Sequence, residues 1–282
     1  VLTERKKILF VVEAMGGGVF TYIVDLANAL VDTYDMYIAY AVRKQTPKNY
    51  RDYFDKRIKL VEVKNFCREI KPTKELAAVK EIKKIADEIK PDIIHLHSSK
   101  AGVIGRIAFN GVDVPLFYTP HGYSFLMKDA GVIKRGIYWG IEKVFANRNC
   151  TIISCSKGEY QESLKLTPNA TYVDNAINAE KLKERLKEVK EEEHPFTVFT
   201  LGRICYQKNP AQFNKIAEAM PNIKFMWIGD CDLRSELSAP NIEVTGWVDR
   251  ETALKKSINA DVLVLTSLRE GLPISLLEAM YI

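Results

Sequence analysis

The chain has 282 residues, more than one ordinary domain needs and comfortable as two, with 41 Lys+Arg against 36 Asp+Glu. The net charge of +5 suits an anionic ligand or a membrane surface and falls short of a nucleic-acid signature, so no nucleic-acid partner is expected. Five scattered cysteines (67, 150, 155, 205, 231) form no C-x-x-C pair and read as reduced cytoplasmic thiols, and no apolar run approaches the ~18 residues of a membrane span.

Along the chain, short apolar runs alternate with helical patterns. Residues 8–12 follow Arg5-Lys6-Lys7 and read as a strand, being too short for a signal peptide's core. Gly16, Gly17 and Gly18 separate that run from a helical pattern beginning near Phe20. Strand-like runs follow at 36–42, 92–96, 116–119 and 151–155, with helices predicted at 73–90 and 132–145. Within 73–90 the apolar residues Leu76, Val79, Ile82, Ile85 and Ile89 recur three or four apart, and Pro91 ends the segment. From 179 to 195 charge dominates, with only Leu182, Leu186 and Val189 to hold a short helix down. This stretch is read as a linker between domains at 1–178 and 196–282. The alternation then resumes at 196–201, 223–228, 242–245 and 262–266, with helices from Pro210, Arg250 and Pro273. Two α/β domains with parallel sheets are therefore expected. Leu276, Leu277, Ala279 and Met280 carry a helical pattern up to Ile282 without a stop signal, which reads as a piece of a longer polypeptide with an incomplete second domain.

Ligands of open parallel sheets sit beyond the carboxyl ends of strands, which directs attention to the residues after each run. A dinucleotide fingerprint would need glycine at 16, 18 and 21, but position 21 is Thr and the second run ends near Val42 and Arg43 instead of an acid. A reductase using NADP, which Arg43 would suit, is thereby disfavoured. The three glycines remain either a bare wall that lets a ligand reach peptide N–H groups at a helix start or a plain turn. His95 and His97 share one face of a strand, yet zinc wants three or four ligands and no third is recognisable, so no metal is expected. His97, with Ser98 and Ser99, reads as a polar group at a cleft edge. His121, in Thr119-Pro-His-Gly122, is placed to hydrogen-bond a substrate or is a satisfied structural histidine. The stretch 123–139 mixes large apolar residues with Lys128, Lys134 and Arg135; it reads as a surface for a membrane or greasy acceptor, or as a loop and a packed helix.

In the second domain Gly202 and Arg203 follow a strand and Lys208 precedes a helix starting at Pro210, so two cations lie near a helix N-terminus, where a diphosphate would suit them. Glu270 lies in the loop before the last helix and Glu278 about five residues into it, roughly 7–8 Å along the axis. Both carboxylates can accept hydrogen bonds from one hydroxyl-rich ligand, with the Gly271 and Leu272 peptides between them.

Gly202-Arg203-(x4)-Lys208-Asn209 and Glu270-Gly-Leu-Pro-(x4)-Glu278-Ala-Met280 resemble the two donor-site motifs of family 4 retaining glycosyltransferases. The Gly16–Gly18 turn, His95-Leu-His-Ser-Ser-Lys-Ala-Gly102, Thr119-Pro-His-Gly122, Ser154-Cys-Ser-Lys-Gly-Glu159 and Asn175-Ala-Ile-Asn178 are similar to segments of that family, in the same order. Asn175-Ala-Ile-Asn178 departs from the commoner Asn-Gly-Ile-Asp and is read as a variant without catalytic consequence.

The resemblance implies a GT-B fold, two Rossmann-like parallel-sheet domains facing a cleft. It implies that Arg203 and Lys208 hold the donor's diphosphate, that Glu278 binds the ribose, and that Glu270 binds the transferred sugar with Gly271 and Leu272. It further implies His121 near the reacting carbon, the glycine turn near the donor's phosphates and sugar, and Val248 beside the base. The expected enzyme is cytoplasmic, at the inner face of the membrane, and the resemblance implies that it needs no cofactor or metal. It moves a sugar with retention of configuration from a UDP- or GDP-sugar to a glycan or polyprenyl-linked glycan in cell-surface polysaccharide synthesis. A nucleotide-sugar epimerase on a related scaffold and a non-catalytic two-lobed sugar-binding protein are the rival readings.

Overall fold

The computed structural model describes residues 4–13, 15–43, 45–67, 71–187 and 189–282. The chain divides into two compact units, Val1–Asn175 and Ala176–Ile282.

In the first unit the strands are β1 (Lys7–Val12), β2 (Asp35–Tyr40), β3 (Lys59–Glu62), β4 (Ile93–His97), β5 (Leu116–Thr119), β6 (Thr151–Ser154) and β7 (Ala170–Tyr172). Among the described residues they form one parallel sheet in the order β3-β2-β1-β4-β5-β6-β7. The helices are α1 (Gly17–Leu30), α2 (Pro72–Ile89), α3 (Ser99–Ala108), α4 (Val132–Ala146) and α5 (Lys157–Leu166). Period-two alternation on β1 sends Ile8, Phe10 and Val12 into a core with Phe20, Ile23, Val24 and Ala27 of α1. Leu9 and Val11 join Ile82 and Ile85 of α2 and Ile104 of α3 in a second core. Helices thus cover both faces, which is why the strands read as near-continuous apolar runs.

The second unit contains β8 (Thr197–Leu201), β9 (Lys224–Ile228), β10 (Ile242–Val244) and β11 (Val262–Leu263), parallel in the order β10-β9-β8-β11. Its helices are α6 (Ala179–Leu186), α7 (Pro210–Ala219), α8 (Arg250–Ile258) and α9 (Ile274–Tyr281). Phe213 and Ala217 of α7 pack with Val198, Phe225 and Trp227, while Phe199, Met226 and Ile228 point into a smaller core with Ala253 and Ala279. The charged stretch 179–195 goes with this unit. Asn178 caps α6 through Oδ1, which accepts from the Lys181 N–H at 2.9 Å, and Leu182 is buried. Glu192 donates its N–H to Asn259 Oδ1 at 2.7 Å.

Three local readings change. α1 begins at Gly17, with Gly16 as its N-cap, so the glycines are the first turn of the helix and not a loop before it. On α2 the buried stripe runs through Ala78, Ile82, Ile85 and Ala86, and Leu76 faces solvent. Pro273 is the N-cap of α9 and the helix starts one residue later. Of greater consequence is the strand order: it reverses between β1 and β4 in the first unit and between β8 and β11 in the second. Adjacent crossovers leave such a point in opposite directions and open a crevice beyond the strand ends, where ligands of this architecture bind.

Candidate active site

In the second unit, the loops after β8 and β11 flank that switch point. After β8 the chain passes Gly202, at φ 142°, and Arg203, then makes a 3₁₀ turn over Tyr206–Lys208 before α7. Trp227 Nε1–H donates to the Gly202 carbonyl at 2.9 Å and fixes the start of this loop against β9. The far end is tied to the other loop. Thr266 Oγ1 donates to the Lys208 carbonyl at 2.9 Å, the Leu268 N–H to Gln207 O at 2.8 Å, and Gln207 Nε2 to the Arg269 carbonyl at 3.0 Å. These ties bring Lys208 Nζ to 2.7 Å from Glu270 Oε1, with both side chains largely covered. No well-aligned hydrogen bond reaches Glu270 Oε1, so the contact is an ion pair that a better-aligned anion or donor can displace. Glu278, buried on α9, pairs with Arg250 at the start of α8 at 2.5 Å. Arg203 is exposed and has no ion pair among the described residues. Val248 packs beside the smaller core just before Asp249, the N-cap of α8. Gly271 and Leu272 lie in the turn between Glu270 and α9.

In the first unit, the residues at the switch point converge on three imidazoles. Gly17 takes φ +56°, a left-handed conformation that a residue with a β-carbon adopts only under strain, at the first position of α1. His95 Nε2 lies 2.8 Å from Thr119 Oγ1, and His97 Nδ1 lies 3.1 Å from His121 Nε2. His121 Nδ1 contacts Cys155 Sγ at 3.5 Å, and the Tyr22 ring meets the His121 ring edge-on at 4.7 Å. Ser98, just after β4, and His121, two residues after β5, hold positive φ of 76° and 53°. Non-glycine strain of this kind persists only where its surroundings fix it. One fixing group is Glu159: its carboxylate accepts from the Gly122 N–H at 2.6 Å and the Cys155 N–H at 2.8 Å, joining the loops after β5 and β6. His97, expected at a cleft edge, is fully buried, because β4 is a central strand and the Phe10 and Tyr22 rings lie against it.

Burial holds the imidazoles in the neutral form. It pulls the His95 pKa down to about 3, with His121 adding to the effect, and His121 likewise to about 3. His97 falls well below its ordinary value through burial and its two histidine neighbours. Burial also pushes the Cys155 thiol and the Tyr22 phenol up, so both stay protonated. The cluster is a set of neutral hydrogen-bonding groups, and both His121 ring nitrogens are engaged within it. Among the described residues no group of three or more His, Cys, Asp or Glu side chains could hold a metal ion.

The structure therefore brings Arg203, Lys208, Glu270 and Glu278 to the strand ends of one unit, and the glycines, His97 and His121 to those of the other. It adds two residues given no role above. Arg250 carries no sequence signal, since its partner Glu278 lies 28 residues on. Glu159 does carry one: Ser156-Lys-Gly-Glu159 is a capping-box pattern, and Ser156 Oγ accepts from the Glu159 N–H at 3.2 Å. Here the glutamate bridges two loops instead of returning to the cap. Arg43, the residue that would suit an NADP phosphate, is ion-paired with buried Glu13.

Comparison with known proteins bears on both units. The family model described as Glycosyltransferase Family 4 matches residues 16–181, and the one described as Glycosyl transferases group 1 matches residues 195–282. The chain is 31% identical over 259 residues to the UDP-Gal:alpha-D-GlcNAc-diphosphoundecaprenol alpha-1,3-galactosyltransferase of Escherichia coli, over 81% of this chain and 65% of that protein. It is 29% identical to an uncharacterized 41.2 kDa protein in the cps region of Klebsiella pneumoniae, over 67% of this chain and 58% of that protein. The chain thus spans less than two thirds of these curated relatives. Among solved structures, the sucrose-phosphate synthase from Thermosynechococcus elongatus aligns with a TM-score of 0.78 at 15% identity, over 98% of this chain and 79% of that one. Anabaena Alr3699/HepE in complex with UDP and glucose aligns with a TM-score of 0.74 at 16% identity, over 98% and 78%.

Proposed function

The chain belongs to Glycosyltransferase Family 4 and has the GT-B fold, and on that premise we propose that it is a retaining, metal-independent glycosyltransferase of cell-surface polysaccharide synthesis. Its donor is a UDP- or GDP-sugar and its acceptor a glycan or polyprenyl-linked glycan. Support for UDP comes from the Anabaena neighbour, solved with UDP and glucose, and support for a lipid-linked acceptor from the Escherichia coli relative, named for a diphosphoundecaprenol substrate. Such an acceptor places the work at the inner face of the membrane, by peripheral contact; no helix among the described residues is long and apolar enough to cross it.

The observation that carries the reading is the ordering of charge at the β8/β11 switch point: exposed Arg203, then Lys208 against Glu270, then Arg250 against Glu278. A diphosphate entering beside Arg203 and Lys208 gains two cations, one of which turns from Glu270 toward it. That leaves the Glu270 carboxylate to accept from hydroxyls of the transferred sugar. Glu278, held by Arg250, presents its remaining acceptor capacity to the ribose hydroxyls. As the glycosidic bond to the diphosphate breaks, negative charge grows on the leaving phosphate, and Arg203 and Lys208 stabilise it more than they stabilise the bound donor. His121, held neutral, is a hydrogen-bonding group in the first unit and not a cation.

The test is incubation with UDP- and GDP-sugars, with and without a polyprenyl-diphosphate-linked sugar, in the presence of chelator. Coupled product and free nucleoside diphosphate should appear only with acceptor, and chelator should leave the rate unchanged. An isomerised sugar released from donor alone would establish the epimerase instead, and binding of free sugars without turnover would favour a binding protein.

A further inference from the structure

α4 presents the wrong face to water for a packed helix. Val132, Ile133, Ile137 and Val144 are 83%, 82%, 56% and 62% exposed, and Ile141 lies on the same side. At 3.6 residues per turn Ile133, Ile137, Ile141 and Val144 make one stripe along the axis. Gly136 and Gly140 lie between them with open space at their Cβ positions, so the outward face of the helix carries aliphatic side chains and bare backbone. Nothing polar interrupts it.

The opposite face fixes this orientation. Glu142 points inward to a buried ion pair with Arg106 at 2.7 Å and accepts from the Tyr118 hydroxyl at 2.8 Å. Arg106 Nε in turn donates to the Gly102 carbonyl at 2.8 Å, and Ala146 is buried one turn further on. Rolling α4 to hide its isoleucines would draw that pair apart inside a dry core, which is strongly unfavourable. The apolar stripe is therefore held outward by the fold.

We propose that this face of α4 is the membrane-docking surface of the protein, lying flat in the headgroup region of a bilayer that contains anionic lipid. Charge selects that occupant. Residues 127–149 contain Lys128, Lys134, Arg135, Lys143 and Arg148 against only Asp129 and Glu142, and Glu142 is turned into the core. Lys134 on α4, and Lys128 and Arg148 in the segments on either side of it, are exposed. Trp139, 40% exposed, lies on the flank of the helix, about 120° around the axis from Ile133. An apolar helical face flanked by basic residues and lacking exposed acid on the helix itself matches an anionic interface, whereas a second copy would set like charges together. The assignment builds on the reading of the acceptor as lipid-linked, and its test needs neither donor nor acceptor.

The test is co-sedimentation of the purified protein with vesicles of phosphatidylethanolamine and phosphatidylglycerol, and with vesicles of phosphatidylcholine alone. The protein should pellet with the anionic vesicles and much less with the neutral ones. Ile133→Asp/Ile137→Asp should weaken partitioning at least about ten-fold, since a charge on each of two successive turns opposes insertion of the stripe. Lys128→Glu/Lys134→Glu should weaken it and flatten its dependence on salt. Circular dichroism should show both double variants folded, because the altered side chains face solvent, and UDP affinity measured alongside separates failure of docking from failure of the donor site. Vesicle binding by Ile133→Asp/Ile137→Asp equal to the parent's would overturn the proposal. So would absence of parental binding to either vesicle, or a parental dimer that this variant converts to monomer.

Discussion

Lys208→Ala is expected to lower the rate of sugar transfer by about 10²–10³-fold while leaving the protein folded. Lys208 Nζ has a double task in the arrangement described above. In the structure it lies 2.7 Å from Glu270 Oε1, and in the proposed reading it is also the cation beside the leaving diphosphate. Removing it takes away charge stabilisation that grows in the transition state, so turnover falls more than donor affinity. It also leaves Glu270 without its counter-charge and less willing to sit beside phosphate. The backbone ties that shape the loop, from Thr266, Leu268 and Gln207, do not involve the ammonium, which is why the fold should survive. Lys208→Arg keeps the charge but brings a planar fork in place of a point charge, so it should restore only part of the rate. Initial rates of nucleoside diphosphate release for the three proteins decide the matter. An unchanged rate for Lys208→Ala would remove Lys208 from the chemistry.

The second large effect is on stability, and it comes from the first unit. A histidine kept neutral by burial binds fewer protons when folded than when unfolded, so acid favours unfolding. For His95 the folded value is about 3 against 6.5 for an unperturbed imidazole, and His97 is shifted the same way. Their contribution is complete above about pH 6.5 and is lost progressively as pH falls from there toward 3. Between about pH 7 and pH 5.5 the loss depends only on titration of the unfolded chain and amounts to roughly 1.3 kcal/mol per histidine, about 2–3 kcal/mol for the pair. His121, half-buried, adds to the loss in the same direction. Urea unfolding at the two pH values should show this drop, and His95→Gln/His97→Gln should flatten the slope whatever its absolute stability. A stability independent of pH over that interval would mean the imidazoles are solvated.

How much of this was legible from residues alone varies with the range of the interaction. Strands such as β1, β4 and β8 announce themselves by unbroken apolar runs. α3 does not, because Gly102 and Gly105 look like breakers. In the fold they let the helix lie directly on β4 and β5: a β-carbon there would meet the Tyr118 ring at 2.4 Å and the Leu96 side chain at 2.3 Å. β3 and β7, four and three residues long, hold too little pattern to read. The charge of 179–195 suggests an independent linker, whereas one buried leucine, Leu182, and a cap at Asn178 suffice to make part of it a helix of the second unit.

The candidate donor-site residues Arg203, Lys208, Glu270 and Glu278 could be picked out because they fall in two short, contiguous motifs that resemble those of a known family. Their partners follow from contacts that no spacing encodes. Arg250 reaches Glu278 across 28 residues, and Glu159 reaches Gly122 across 37. The depth of His97 is likewise a property of the sheet order, which places β4 between β1 and β5 and surrounds its last residue with rings from elsewhere in the chain.

The central claim is that the β8/β11 switch point of the second unit is a nucleotide-sugar site, and calorimetric titration with UDP, GDP and their sugar derivatives tests it most directly. One of these nucleotide families should bind the parent. Arg203→Ala should weaken it, Glu278→Ala should weaken nucleotide and nucleotide-sugar alike, and Glu270→Ala should affect mainly the sugar-bearing form. Absence of binding by every nucleotide, or affinities unchanged in all three variants, would contradict the account.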